Sequence, residues 1–182
     1  KERSGFMNGT VPQPAPPKPR GRSARAGALA LTGPTDAPVS LGIQAADLAG
    51  ALSAVAAIFA ALYQRERTGC GTKIDLSMTE AALALNALNF GSLHGGAAPK
   101  RAHEILDGSR PCYTTYRCRD GRFLAVGALE PKFWHKLVAA IGLPDLADSG
   151  LDSGDVGVAV KSRVQARIEE KTLAEWLELL RP

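Results

Sequence analysis

Two carboxylates stand where helices should begin. Asp47 opens an otherwise apolar stretch, "AADLAGALSAVAAIFAALY", and Glu130 sits in "GALEPKFW", between a strand-like run and a proline. A carboxylate at such a point has two uses. It can complement the partial positive charge of a helix N-terminus. It can also face a substrate as nucleophile, base or acid. The neighbouring residues leave both uses open. Asp47 is followed by Ala49, Gly50 and Ala51, small residues that would let a ligand come close to the backbone. Asp47 and Glu130 are therefore candidate catalytic residues, and Ala49 and Gly50 are candidate cofactor-binding contacts.

The other reactive residue types point nowhere in common. His94, His103 and His135 do not cluster with cysteines or carboxylates at metal-ligand spacing, so no metal is expected. Cys70, Cys112 and Cys118 are an odd set without CxxC spacing, which argues against a disulfide framework or a zinc site. A reducing cytoplasm is the expected compartment. No GxSxG, P-loop or dinucleotide-binding glycine fingerprint is present.

Composition narrows the partners. The chain has 182 residues, 45 % apolar and 22 % charged, as in an ordinary soluble globular protein. That length supports one core or two small lobes. The net charge of +4 is partly local, since Lys18, Arg20, Arg22 and Arg25 share one short stretch. No basic helix or stacking aromatics accompany them, so nucleic acid is not an expected partner. A basic surface suits an anionic small molecule such as a nucleotide thioester. Residues 1–23 contain no apolar signal-peptide core. The longest charge-free apolar run, Leu48 to Tyr63, is shorter than the roughly 20 residues of a membrane span, so it reads as a buried helix, not a membrane segment.

The elements that would position the two carboxylates follow from periodicity. The lead-in "VPQPAPPKPRGRS" is proline-rich and basic, and reads as disordered. Leu48, Leu52, Val55, Phe59, Leu62 and Tyr63 recur at helical spacing, predicting a helix over about 45–67 that Gly69 and Gly71 stop. "TKIDLSM" reads as a short strand, and "SMTE" as a capping box opening a helix to about Phe90. Residues 91–110 read as a linker. "CYTTYRCRDGRFLAVGA" predicts a hairpin around Asp120–Gly121. Pro131 starts a helix that ends near Gly142. Residues 147–156 read as loop. "TLAE", Thr172 to Glu175, has capping-box spacing and opens a last short helix.

Two long blocks in one order carry a resemblance. "GIQAADLAGALSAVAAIFAALYQRERTGCGTKIDLSMTEAALAL" and "LDGSRPCYTTYRCRDGRFLAVGALEPKFW" resemble the family III coenzyme A transferases and the related α-methylacyl-CoA racemases. "ARAGALALTGP" resembles the segment that precedes both blocks. The resemblance covers residues 24–182. It implies an α/β fold: part of a Rossmann-like large domain (24–90), a linker (91–110), and part of a small α+β domain (111–182), from an interlocked homodimer. Each active site would lie between the large domain of one chain and the small domain of the other.

The resemblance also implies chemistry. In the transferase branch the aspartate matching Asp47 attacks an acyl-CoA, and aspartyl-CoA and anhydride intermediates pass CoA to a second carboxylic acid. Coenzyme A is then a substrate moiety, and no cofactor is permanently bound. In the racemase branch the same aspartate exchanges the proton beside the thioester, a histidine works on the opposite face, and the glutamate matching Glu130 orients that histidine. The sequence departs from the family in three ways. The chain is much shorter than a full member. It lacks the first half of the large domain and the end of the small one. It has no histidine before His94, where the racemase histidine should lie. Asp47-Leu48-Ala49-Gly50-Ala51 is closer to the transferase style, while "ALEPKFW" is closer to the racemase style. The expectation is a CoA transferase, with racemase as the alternative. A catalytically inactive fragment that only associates is the third reading.

Overall fold

The computed structural model describes residues 21, 23 and 26–181. The disordered lead-in expected over residues 1–23 lies outside the described residues, apart from Gly21 and Ser23. Among the described residues six α-helices and one hairpin make up the regular structure, with short 3-10 turns at Ala28–Leu31 and Pro144–Ser149.

The first helix, α1 (Ala45–Thr68), has 24 residues and is about 36 Å long. It ends where expected. Gly69 takes φ 72°, and its N–H donates to the Arg65 carbonyl at 2.8 Å. The expected strand over "TKIDLSM" does not form, and residues 70–77 run as irregular chain. A strand needs a neighbour to take its N–H and C=O groups. The hairpin near residue 120 holds the only sheet among the described residues, so this segment has no partner.

The helix expected from Ser77 to Phe90 is two helices, α2 (Met78–Ala84) and α3 (Ala87–His94). Ser77 caps α2 by accepting from the Glu80 N–H at 3.3 Å. The break falls at Asn86, whose side-chain amide donates to the Ala26 carbonyl at 2.8 Å. An asparagine that bonds outside its helix favours leaving it.

The second half is built as expected around the hairpin. Strands β1 (Tyr113–Arg117) and β2 (Phe123–Gly127) pair antiparallel, Tyr113 with Gly127 and Arg117 with Phe123. Gly121 supplies the left-handed residue of the turn, φ 78°. Helix α4 (Pro131–Ala140) follows, then α5 (Gly154–Ile168) and α6 (Leu173–Leu179). The expected loop over 147–156 is mostly taken up by the 3-10 turn and the start of α5. Helix α5 has no counterpart in the sequence reading. Charged residues crowd it, yet Gly157, Val160, Val164 and Ile168 fall on one buried stripe. At α6 the capping box is complete: Thr172 and Glu175 each accept from or donate to the other's backbone or side chain.

The two halves differ in core. In the second half Tyr116, Trp134, Val138, Ile141, Val164, Ile168 and Trp176 close into one buried cluster. Both indole N–H groups are satisfied, Trp134 to the Leu146 carbonyl and Trp176 to the Ile168 carbonyl, each at 2.8 Å. The first half buries only Ala26, Ala46 and Ala82 together. This corrects the expectation of a buried α1. Leu52, Phe59 and Tyr63 are 73 %, 68 % and 64 % exposed, because α2 packs on α1 around Ala46 and Gly50 and no other described element covers its outer faces. By length and composition alone α1 is also apolar enough to cross a membrane. An α-helix this apolar all round is made to be enclosed.

Candidate functional site

Asp47 lies in the first turn of α1, exposed to solvent. It lines an open cavity of about 880 Å³ together with Gly21, Leu29, Leu41, Ile43 and Gln44. Gln44 is the residue before the helix, and its side chain caps nothing. The first-turn N–H groups of α1 therefore face the same end as Asp47, with the positive end of the helix dipole behind them. Among the described residues the Asp47 carboxylate enters no hydrogen bond or ion pair.

Ala49 and Gly50 do not line that cavity. Gly50 is buried against α2, and a Cβ there would sit 2.9 Å from Met78 Cγ. Its lack of a side chain serves helix packing. Its backbone is covered by Met78 and is not open to a ligand.

Glu130 occupies the corner between β2 and α4. It is the residue before the helix, with φ −75° and ψ 133°, and Pro131 takes the first helical position. Its carbonyl accepts from the N–H groups of Phe133 and Trp134, at 2.9 and 3.2 Å. Its side chain makes no capping bond. The backbone does the helix-start work, and the carboxylate is left exposed and unengaged.

No described cavity is lined by both Asp47 and Glu130. The two lie on opposite sides of the linker, in different halves of the chain. None of the histidines lines the Asp47 cavity either. His135 approaches Asp148, with Nε2 3.9 Å from Oδ1, at the surface of the second half. No group of three or more His, Cys, Asp or Glu residues suited to a metal ion occurs among the described residues. The cysteines are free. Burial pushes the Cys112 and Cys118 thiols up from their ordinary range, so neither is a ready nucleophile.

The sequence reading missed how the linker is held. Asp107 accepts from the N–H groups of Glu104 and Ser109, both at 2.9 Å. Ser109 Oγ donates to the Glu104 carbonyl, and Lys161 Nζ reaches from α5 to the Gly108 carbonyl at 2.7 Å. The Asp-Gly-Ser run at 107–109 was the available signal, since aspartate beside glycine favours a side-chain-closed turn.

The family model described as CoA-transferase family III matches residues 22–182. The human α-methylacyl-CoA racemase is 39 % identical over 137 residues, which is 74 % of this chain and 36 % of the racemase. The mouse succinyl-CoA:glutarate CoA-transferase is 35 % identical over 168 residues, 85 % of this chain and 37 % of that enzyme. A CAIB/BAIF family protein from Brucella suis superposes with a TM-score of 0.61 at 28 % identity, over 88 % of this chain and 45 % of its own. The chain thus spans about a third to just under half of the length of these relatives.

Proposed function

The chain belongs to CoA-transferase family III, and from that premise we propose that the whole protein moves coenzyme A from an acyl-CoA thioester to a carboxylic acid, with Asp47 as nucleophile. One observation supports this most: an exposed, unpaired carboxylate at the N-terminal end of a long helix, on an open cavity. The Asp47 oxygen attacks the thioester carbonyl, the C–S bond breaks, and CoA leaves as thiolate. The thiolate then attacks the aspartyl carbonyl of the anhydride, releasing the first acid and leaving CoA on Asp47. The acceptor carboxylate and the same thiolate repeat these two steps in reverse order. Splitting the exchange in this way replaces one slow displacement by easier covalent steps. Helix N–H groups beside Asp47 favour the anionic intermediates.

Glu130, on the other half, completes the site from the small domain of a second chain. The separation of Asp47 and Glu130 within one chain suits that arrangement. A homodimer is part of the proposal.

Racemisation is the second reading, favoured by the 39 % identity with the human racemase. It needs an acid and a base on opposite faces of one carbon. One experiment separates the two. The portion of the relatives that this chain does not match is supplied from the Brucella suis relative, and the product is incubated with an acyl-CoA and then hydroxylamine. A hydroxamate on Asp47, without uptake of solvent deuterium beside the thioester, is the transferase result. Deuterium uptake without an adduct refutes it in favour of the racemase. Neither signal, in a folded protein that binds acyl-CoA, leaves the inactive reading.

A further inference from the structure

The hairpin has one engaged edge and one open edge, and its ladder fixes which is which. The Ala128 N–H donates to the Cys112 carbonyl and the Cys118 N–H to the Arg122 carbonyl, each at 2.8 Å. In an antiparallel pair the bonded positions alternate. Thr114–Val126 and Tyr116–Leu124 are therefore the bonded pairs between those two. Tyr113, Thr115 and Arg117 on β1, and Phe123, Ala125 and Gly127 on β2, aim their N–H and C=O groups away from the hairpin. On the β1 side the Gln165 side chain of α5 stands in for a strand. Its Oε1 accepts from the Arg117 N–H at 3.0 Å, and its Nε2 donates to the Arg117 carbonyl at 2.9 Å. The Tyr113 N–H donates to the Arg110 carbonyl at 3.1 Å. On the β2 side none of the outward groups has a partner among the described residues. Phe-Leu-Ala-Val-Gly also carries no charge, no proline and no bulge, the usual devices that keep an edge from pairing.

The open edge matches itself. Turned about Ala125, a second β2 runs antiparallel to the first. Ala125 then faces Ala125, and Phe123 faces Gly127, so every outward donor meets an outward acceptor. The side chains match as well. Phe123, Ala125 and Gly127 lie on the exposed face of β2, and Phe123 is 60 % exposed. Across the pair its ring covers Gly127 of the second copy, where no side chain stands in the way. A glycine in a strand gains from an aromatic neighbour of this kind. Within its own hairpin Gly127 has only the Tyr113 ring beside it, 3.9 Å from where a Cβ would be. A strand of another sequence would meet the same row of backbone groups without this match of bulky to bare. The contact also closes on itself. The combined sheet has the order β1-β2-β2-β1, and both outer edges are β1 edges already engaged by Gln165 and Arg110.

We propose that the free edge of β2 is an interaction surface for a second copy of this chain, joined to it by antiparallel pairing centred on Ala125. The pairing uses neither Asp47 nor Glu130, so it does not rest on the transfer reaction. It also differs from association through α1, because none of the residues in the core beneath the hairpin belongs to α1.

The test uses the 182-residue chain carrying Leu52→Lys and Phe59→Lys, so that the bare face of α1 does not contribute. An equimolar mixture of isotope-labelled and unlabelled chain is read by filtered nuclear Overhauser spectroscopy. In the proposed register Leu124 faces Val126 of the second copy as a non-hydrogen-bonded pair, with Cα atoms about 4.5 Å apart. The expected result is an intermolecular Hα–Hα contact between Leu124 and Val126 that grows with concentration. Amide exchange at Phe123, Ala125 and Gly127 should slow over the same range, while the Leu124 and Val126 amides, already bonded within the hairpin, should not change. Ala125→Pro removes an N–H that the hairpin itself does not use, so the chain keeps its ladder. Association should weaken at least tenfold. Phe123→Lys, which removes the ring and places a charge on the edge, repeats the test should Ala125→Pro fail to fold. No growth of the contact up to millimolar chain, a contact in another register or with another segment, or undiminished association in the folded edge variants each overturns the proposal.

Discussion

Gly150→Ala tests how rigidly Trp134 is held. A Cβ at Gly150 would sit 2.8 Å from both Cδ1 and Cγ of the Trp134 ring and 3.0 Å from Cδ2. Favourable carbon contacts lie near 3.5–4.0 Å. The ring or the backbone must therefore move by roughly 0.7 Å or more to reach that range. The ring is not free to move, because its N–H is bonded to the Leu146 carbonyl and it is 2 % exposed. The backbone is tied as well, since the Gly150 carbonyl accepts from Cys112. Overpacking of this kind costs about 1–3 kcal/mol. Working against it, Gly150 has φ −63° and ψ −33°, which alanine adopts without strain. Restricting the unfolded chain then returns about 0.4–1 kcal/mol. The overpacking term is the larger, and a net loss of about 1–2 kcal/mol is expected. Urea unfolding followed by tryptophan fluorescence measures it. Gly127→Ala is the control, because its Cβ would meet Tyr113 at an ordinary 3.9 Å. A Gly150→Ala protein as stable as the parent would refute the claim that Trp134 is pinned.

The remaining predictions concern charge, thiols and association. Hydrogen bonds from the Thr172 N–H and hydroxyl hold the Glu175 carboxyl below its usual range. Its contribution to stability is therefore present above the ordinary glutamate pKa and is lost as pH falls through the lowered folded value. Thr172→Ala should raise the Glu175 pKa in an NMR titration; an unmoved value would contradict the cap. Of the three cysteines, exposed Cys70 should react with a thiol reagent in the folded chain well before Cys112 and Cys118, and three equal rates would show a loosened core. The bare face of α1 should drive self-association at micromolar concentration, with Leu52→Lys together with Phe59→Lys reducing it; light scattering from a clean monomer would refute this.

Local signals were the legible ones. The hairpin at Asp120–Gly121, the stop at Gly69, the start at Pro131 and the Thr172 cap each depend on a few adjacent residues, and each stands where the residues place it. Signals that depend on a distant partner failed. "TKIDLSM" has strand composition but no strand beside it, and composition cannot say whether a neighbour is present. Helix α5 was hidden because its buried stripe is narrow, and charges such as Lys161 and Arg163 break the apparent periodicity. At Asn86 a single side-chain bond to Ala26, sixty positions away, divides a pattern that reads as one helix.

The two carboxylates divide in the same way. At Glu130 the local question has a local answer: backbone carbonyl and proline start the helix, and the side chain is left over. A carboxylate that its own helix does not use, on a rigid corner of the well-packed half, is held in position without being neutralised. Asp47 is equally unengaged, but among the described residues its half of the chain buries only four alanines and Gly50. Its helix cannot be positioned firmly by so small a core, because burial of alanine side chains contributes little against the entropy of ordering 24 residues. The surface that fixes Asp47 must therefore be the one that covers Leu52, Phe59 and Tyr63. Whatever encloses that face also sets the geometry of Asp47, so association and the transfer proposed above should be gained together when the face is covered, and lost together when Leu52 and Phe59 are made charged.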